Sequence, residues 1–361
     1  MVDPFSPLVF RNGVEAPNRL VLAAMTNQQS HADGTLSDVE RDWLVRRAAG
    51  GFGVVTTCAS HVTKDGQGWP GELACFDAAH VPGLARLARD IAAHGALGLV
   101  QVFHGGLRAD PTASGAAPWT AKVGPDVPGV EPGTREATGA DITRVIEAFA
   151  AAAARCEQAG FGGVELHGAH GYLLTQFLSR FNTRDDGWGG DLEGRARLVR
   201  EVTRAVRAAV SAGFVVGVRL SPEDFGNAAG LDLDESVQVA RWLVEDGVDF
   251  VHLSLWDVHR NTTKRPQEHA VEVFRAALPP EVPILVAGKV WTRADVDAML
   301  AKGAAGVAVA RAAIGNPDLP ALVREGAEPE RPPFAPADLE AKAVSAPFVQ
   351  YLRRWKGFIA D

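Results

Sequence analysis

Two imidazoles and a phenol fall close together as His167, His170 and Tyr172, in the stretch GGVELHGAHGYLLTQFLSRFNTRDDGWGG from Gly162 to Gly190. Neutral imidazoles can donate two hydrogen bonds to one oxygen, and a phenol can deliver a proton. Two histidines can also ligate zinc, but a catalytic zinc usually takes three protein ligands. No third ligand is obvious nearby, so no metal is expected. Tyr172 could instead be a core aromatic with a satisfied hydroxyl. The chain has only 2 tyrosines, and one beside two histidines favours the proton donor. The stretch closes in a loop dense in charge and glycine, Asn182 to Gly190.

These groups need a scaffold. The apolar run Gly163-Val164-Glu165-Leu166 reads as a short buried strand ahead of them. Similar runs lie at 19–25, 53–59, 97–103, 215–221, 249–254, 283–288 and 305–310. Helical patterns follow at 37–50, 81–94, 141–160, 192–212, 232–247, 268–277 and 293–302. Ser37 with Glu40 and Asp232 with Glu235 carry capping-box spacing. Eight apolar strands alternating with helices predict an α/β fold with parallel strands, a single-domain (β/α)8 TIM barrel over residues 1–361. An open doubly wound sheet is the weaker alternative. Residues 105–138, rich in Gly, Pro, Thr and Ala, interrupt the rhythm after the third strand as a binding loop or lid. A short helix near 317–325, a Pro-rich connector at 328–337 and a helix at 338–354 follow, so 328–361 forms a C-terminal extension.

In such a barrel the reactive groups sit at the C-terminal strand ends. Those ends offer Met25-Thr26, Ala59, Gln101, His167 with His170 and Tyr172, Arg219, Gly288-Lys289, and Ala310-Arg311. Gln101 is a polar side chain in an apolar strand, and a buried amide must be hydrogen-bonded; it ties a neighbouring strand or meets a ligand. Arg219 cannot lose its proton, so burial demands an anion. Glu165 and Glu223 are candidates, as is a bound cofactor. Gly288 and the Ala310-Arg311 pair stand where barrels often bind phosphate.

These residues resemble those of the Old Yellow Enzyme family, FMN-dependent ene-reductases of the NADH:flavin oxidoreductase class. The likeness covers about residues 5–325 and is carried by His167-Gly-Ala-His170-Gly-Tyr172, Gln176-Phe177-Leu178-Ser179, Asn182-x-Arg184-x-Asp186-x-Trp188-Gly189-Gly190 and Arg195. The resemblance implies FMN across the barrel mouth, reduced by NADH or NADPH. Ala24, Met25 and Thr26 would line the flavin and Ala59 would pack near its ring. Gln101 would bind its pyrimidine edge, and Arg219 would sit by N1 and C2=O. Gly288, Lys289, Ala310 and Arg311 would hold the phosphate. His167 and His170 would bind the carbonyl oxygen of an α,β-unsaturated substrate. Hydride would reach its β-carbon and Tyr172 would protonate its α-carbon, with Phe103, Trp69 or Trp256 shielding the pocket. The chain departs from the family pattern at Ala24, Thr26, Gln28 and Ala310. The other readings are a relative acting on amines or dienoyl thioesters and a flavin-binding protein without turnover.

Composition narrows the partners. Net charge is −8 with 47% hydrophobic residues, which gives no reason to expect nucleic acid or an anionic membrane. The 3 cysteines, Cys58, Cys75 and Cys156, include no CxxC pair, and no leader or membrane span is evident, so a cytoplasmic location is expected. The expected partner is a small activated alkene. The aromatic tail from Phe348 to Phe358 is expected to pack on a second copy, making a homo-oligomer.

Overall fold

The eight apolar runs form the strands of a closed parallel barrel in the computed structural model, which describes residues 2–360. The strands are β1 (Leu20–Leu22), β2 (Val54–His61), β3 (Leu97–Phe103), β4 (Gly163–Gly168), β5 (Val215–Leu220), β6 (Phe250–Ser254), β7 (Ile284–Ala287) and β8 (Gly306–Val309). They pair in sequence order, and β8 closes on β1 through Ala308 opposite Val21. Met1 and Asp361, the ends of the expected span, lie outside the described residues.

Alternation along the strands divides the barrel interior into layers. A hairpin of Leu8–Val9 and Glu15–Ala16 closes the bottom, where Leu8, Phe10 and Ala16 pack on Val21, Val54, Leu99, Val215, Phe250 and Leu285. Phe250 fills the centre because Gly217 faces it; a Cβ at Gly217 would come within 2.0 Å of the Phe250 ring. Two residues further along β3, β4, β5 and β6 the same faces present Gln101, Glu165, Arg219 and His252 instead. The interior is therefore apolar below and polar above.

Local chemistry explains where the helices depart from expectation. Ser37 Oγ caps Asp38–Ala49 through Glu40 N, but Glu40 does not return the bond. Its buried carboxyl accepts from Asn27 Nδ2 at 3.0 Å and Cys58 Sγ at 2.9 Å, and also from Ser30, fastening the loop after β1. Asp232 caps Leu233–Glu245, whereas Glu235 binds Arg195. The single tail helix expected at 338–354 is two, Pro336–Ala341 and Ala346–Leu352. Ala343 takes a left-handed φ of 59° between them, and Pro347 suits the start of a helix and not its interior. The 105–138 segment holds a tight turn at Gly106–Arg108, a short helix at Pro111–Ser114 and a small ladder of Trp119–Thr120 with Arg135–Glu136.

Candidate active site

Strand register assembles the polar layer. Gln101 pairs with Glu165 across β3 and β4, and Arg219 lies between His167 on one side and His252 on the other. Gln101 Nε2 donates to Glu165 Oε1 at 2.7 Å, and His252 Nδ1 meets Glu165 Oε2 at 2.6 Å. Burial raises the Glu165 pKa, but His252, Arg219 and Gln101 outweigh it and leave the carboxyl below its ordinary value. A carboxylate only accepts, so the Gln101 amide must turn its nitrogen to Glu165, leaving its carbonyl oxygen as the free acceptor. Arg219 is fully buried, and desolvation lowers its pKa while Glu165 supports its charge. Its Nη2 donates to Ser254 Oγ at 3.0 Å, and its Nε–H finds no partner.

The turn after β4 carries the two histidines and the phenol. His170 adopts a φ of 62° and Gly171 a φ of 75°. A Cβ at Gly171 would meet Asn227 O at 2.1 Å, so this turn needs glycine there. The turn brings the rings of His167 and His170 to 5.0 Å and those of His167 and Tyr172 to 5.0 Å. Desolvation first, and the neighbouring cations after it, push both histidines well below their usual pKa, so both are neutral. His170 Nε2 lies 2.6 Å from Ser254 Oγ. Since that oxygen accepts from Arg219, the hydroxyl proton is available to Nε2, and the His170 proton is then assigned to Nδ1.

These groups face one cavity of about 280 Å³. Ala24, Met25, Thr26, Ala59, Gln101, His167, His170, Tyr172, Arg219, Ala310 and Arg311 line it; all but Ala24, which the resemblance supplied, come from the strand-end reading. A bulge in β2 between Thr56 and Ala59 brings Ala59 to the mouth. Four expected residues stand elsewhere. Phe103 is fully buried behind the wall, 5.4 Å from the Trp69 ring and 4.9 Å from that of Tyr172. Gly288 lets β7 end against β6, where a Cβ would meet Leu255 O at 2.5 Å. Lys289 turns its ammonium to Asp257 at 3.0 Å. Trp256 is 55% exposed, outside the cavity, whereas Trp69 lines it.

The structure adds residues that strand-end reading missed. Ser254 ends β6 and joins His170 to Arg219, and a check of that strand end would have found it. His252 lies in the same polar layer, detectable as an ionisable residue inside an apolar run, and it meets Glu165, already a candidate anion for Arg219. The tail supplies Phe348, Tyr351, Leu352 and Trp355 to the cavity of its own chain. Burial raises the Tyr351 phenol, and a hydrogen bond with Thr26 draws it back.

The Asn182–Gly190 loop is a clamp. Asn182 Nδ2 donates to Phe177 O at 2.9 Å and Trp188 O at 2.8 Å, folding the loop on itself. Arg184 Nη1 donates to Ala121 O at 3.0 Å and Ala137 O at 2.8 Å, joining the C-terminal ends of the two strands of the small parallel ladder in the 105–138 segment. Arg195 ties Leu178 O, Gly190 O and Glu235 together. A Cβ at Gly189 would strike Asn182 Oδ1 at 2.4 Å.

With this geometry in view, the relatives decide the family. Residues 3–330 match the model of the NADH:flavin oxidoreductase / NADH oxidase family. The chain belongs to that family. It is 35% identical over 335 residues to a probable NADH-dependent flavin oxidoreductase of Bacillus subtilis, covering 90% of this chain and 88% of that protein. It is 32% identical to an NADH:fumarate oxidoreductase of Klebsiella pneumoniae, covering 90% of this chain and 36% of that longer protein. Among solved structures, an old yellow enzyme homologue from Zymomonas mobilis superposes with a TM-score of 0.80 at 26% identity, covering 91% of this chain and 94% of the other. Morphinone reductase superposes at 0.83 with 24% identity, covering 96% and 97%, which speaks for the fold alone. This family member is therefore a flavin oxidoreductase that uses FMN with NADH or NADPH as electron donor. Its own residues fit the cofactor: the buried Arg219 with a free Nε–H suits an electron-rich ring edge, and the free carbonyl oxygen of Gln101 suits a ring N–H. No helix among the described residues is long and apolar enough to cross a membrane.

Proposed function

We propose that this protein reduces activated alkenes, α,β-unsaturated carbonyl compounds, and that Tyr172 protonates their α-carbon. The carrying observation is the cluster of neutral His167, neutral His170 and buried Tyr172 on one wall of the cavity that holds Arg219 and Gln101. Bound FMN supplies hydride chemistry, with NADH or NADPH as its source. Thr26, Gln101 and Arg219 would hold the flavin ring, and Ala310 with Arg311 the phosphate. Arg219 would set its positive charge beside the bound ring.

The two imidazoles donate to one substrate oxygen. Negative charge grows on that oxygen as the β-carbon receives hydride, so donors aimed there stabilise the transition state more than the ground state. Neutral rings suit this role, because a carbonyl needs donors and a buried imidazolium would add a cation beside Arg219. Tyr172 Oη then gives its proton to the α-carbon, and the phenolate recovers one from water. One hydride and one proton add across the double bond. A buried phenol shut in by Trp69, Phe103 and the tail keeps bulk water from competing. Relatives named for fumarate and acrylate reduction support alkenes as the substrate class, although this chain spans 36% and 32% of those proteins.

The test is anaerobic reduction of the yellow protein by NADH or NADPH, followed by cyclohexenone. Rapid flavin reoxidation is expected. A flavin that stays reduced against a range of enones and unsaturated acids would sink the reading.

A further inference from the structure

Tyr172 works in a place that resists its chemistry. Donating a proton leaves a phenolate, and an anion inside a closed apolar wall is costly without a compensating charge. Arg108 stands against it. Its guanidinium carbon lies 4.3 Å from the centre of the Tyr172 ring, and its Nη1 donates to His170 O at 2.7 Å. One side chain thus touches the proton donor and the backbone of the carbonyl-binding histidine.

The surrounding bonds fix this placement. Arg108 ends the tight turn Gly106–Arg108 at the start of the insertion. Gln176 stitches that turn to the catalytic one: Leu107 N donates to Gln176 Oε1 at 3.1 Å, while Gln176 Nε2 donates to Gly171 O at 2.8 Å and Gly105 O at 3.2 Å. Gly106 has a φ of 62°, and a Cβ there would meet Gln176 Oε1 at 2.2 Å. Leu173 N donates to His104 O at 3.1 Å, a second tie between the two turns. Outside Arg108 and Gly171 runs a larger groove of about 480 Å³ beneath the insertion, so Arg108 forms part of the partition between groove and cavity.

We infer that Arg108 is a positioning residue for proton delivery: it holds the His170–Tyr172 turn in its reactive shape and supplies the charge that offsets the phenolate formed there. This rests on the proton-donor reading of Tyr172. The step balances as written above, with the proton passing from Tyr172 Oη to the α-carbon, hydride going to the β-carbon, and Arg108 keeping its own protons throughout. The titratable and charged groups around the phenol are Arg108 from the insertion, Glu72 from the segment after β2, His167 and His170 from the end of β4, and Tyr351 from the tail. Burial raises the Tyr172 pKa; Glu72 and Tyr351 add to that rise, and Arg108 opposes it. The histidines are neutral, which leaves Arg108 as the cation in contact with the ring.

The experiment compares FMN-loaded wild type, Arg108→Met, Arg108→Lys, Tyr172→Phe and the Arg108→Met/Tyr172→Phe double variant in separate half-reactions. Arg108→Met should slow the oxidative half-reaction at saturating enone about tenfold or more, the scale of a desolvated cation–π contact. The reductive half-reaction should stay within about twofold, and Arg108→Lys should recover part of the loss by returning the charge without the planar fork. The double variant should lose less than the product of the two single losses, because the charge of Arg108 acts through the phenol. A readout independent of turnover uses the Tyr351→Phe background, where Tyr172 is the only tyrosine left. There the ultraviolet phenolate band should appear at higher pH once Arg108 is Met. Additive losses in the double variant, or an unmoved phenolate midpoint, overturn the inference. So does a loss confined to half-saturation for carboxylate-bearing alkenes, which would make Arg108 a substrate anchor. If Tyr172→Phe itself spares the oxidative half-reaction, the proton-donor reading fails first and takes this one with it.

Discussion

The two walls of the cavity are built on different terms. The wall from β3 to β6 is polar and tightly bonded. Gln101, Glu165, His252, Arg219, Ser254 and His170 form two short chains of hydrogen bonds ending at the mouth. The opposite wall is the C-terminal tail, where Phe348, Tyr351, Leu352 and Trp355 contribute surface. Phe348 anchors this wall by packing edge-on to Trp43, 5.0 Å away. The strand side can hold charges and direct protons because strand register positions every atom. The tail side excludes water and shapes the space, which needs area more than angles. Chemistry therefore resides on rigid strand ends, and cover on a segment that contacts the barrel through few polar bonds.

The largest effects should separate the two walls. Tyr172→Phe should slow flavin reoxidation by an enone about 10²- to 10⁴-fold and leave reduction by NADH or NADPH nearly intact, as stopped-flow kinetics would show. A tail variant with an equal loss would erase the distinction. Arg219→Met should weaken FMN binding at least about tenfold, since it removes a buried charge-assisted contact; titration of apo-protein by flavin fluorescence measures this.

Stability should show the reverse order. Phe348→Ala, fully buried, should cost about 3–5 kcal/mol in chemical denaturation and alter enone half-saturation more than the maximal rate. Should it leave half-saturation unchanged, the tail is a strut and not a pocket wall.

The pH response belongs to the strand side. Burial and the neighbouring cations hold the folded-state pKa of His167 and His170 well below the ordinary value, and burial, with smaller contributions from Lys64, His80 and His104, holds His61 down to about 3. Below about pH 6.5 the unfolded chain binds protons that the folded chain refuses, so these groups support stability above that pH and lose it as pH falls. Denaturation midpoints should drop from pH 7 to pH 5, by at most about 1.4 kcal/mol per pH unit for each histidine. A flat profile would mean the three rings are not held neutral together. The smallest effect is expected at Lys289→Met. Its half-exposed pair with Asp257 should contribute under about 1 kcal/mol, and FMN affinity should stay within about twofold.

Much of this protein follows from its sequence alone. Apolar runs at regular intervals announce a barrel, because eight strands buried on both faces must be continuous in Val, Leu, Ile and Ala. The residue that closes each run is the one a barrel presents at its mouth, so Gln101, His167, Arg219 and Ala310 could be placed by counting. The Asn182–Gly190 loop could be matched to a family but not explained. Its order follows from carbonyls at Ala121 and Ala137, about fifty to sixty positions away, that Arg184 must reach. Tertiary structure alone decided that Phe103 stands behind Tyr172, that Lys289 turns to Asp257, and that the tail covers the mouth of its own barrel. The reason is range. Strand periodicity repeats every two residues and is written locally, whereas side-chain partners across a barrel mouth depend on the register of strands and loops many tens of residues apart.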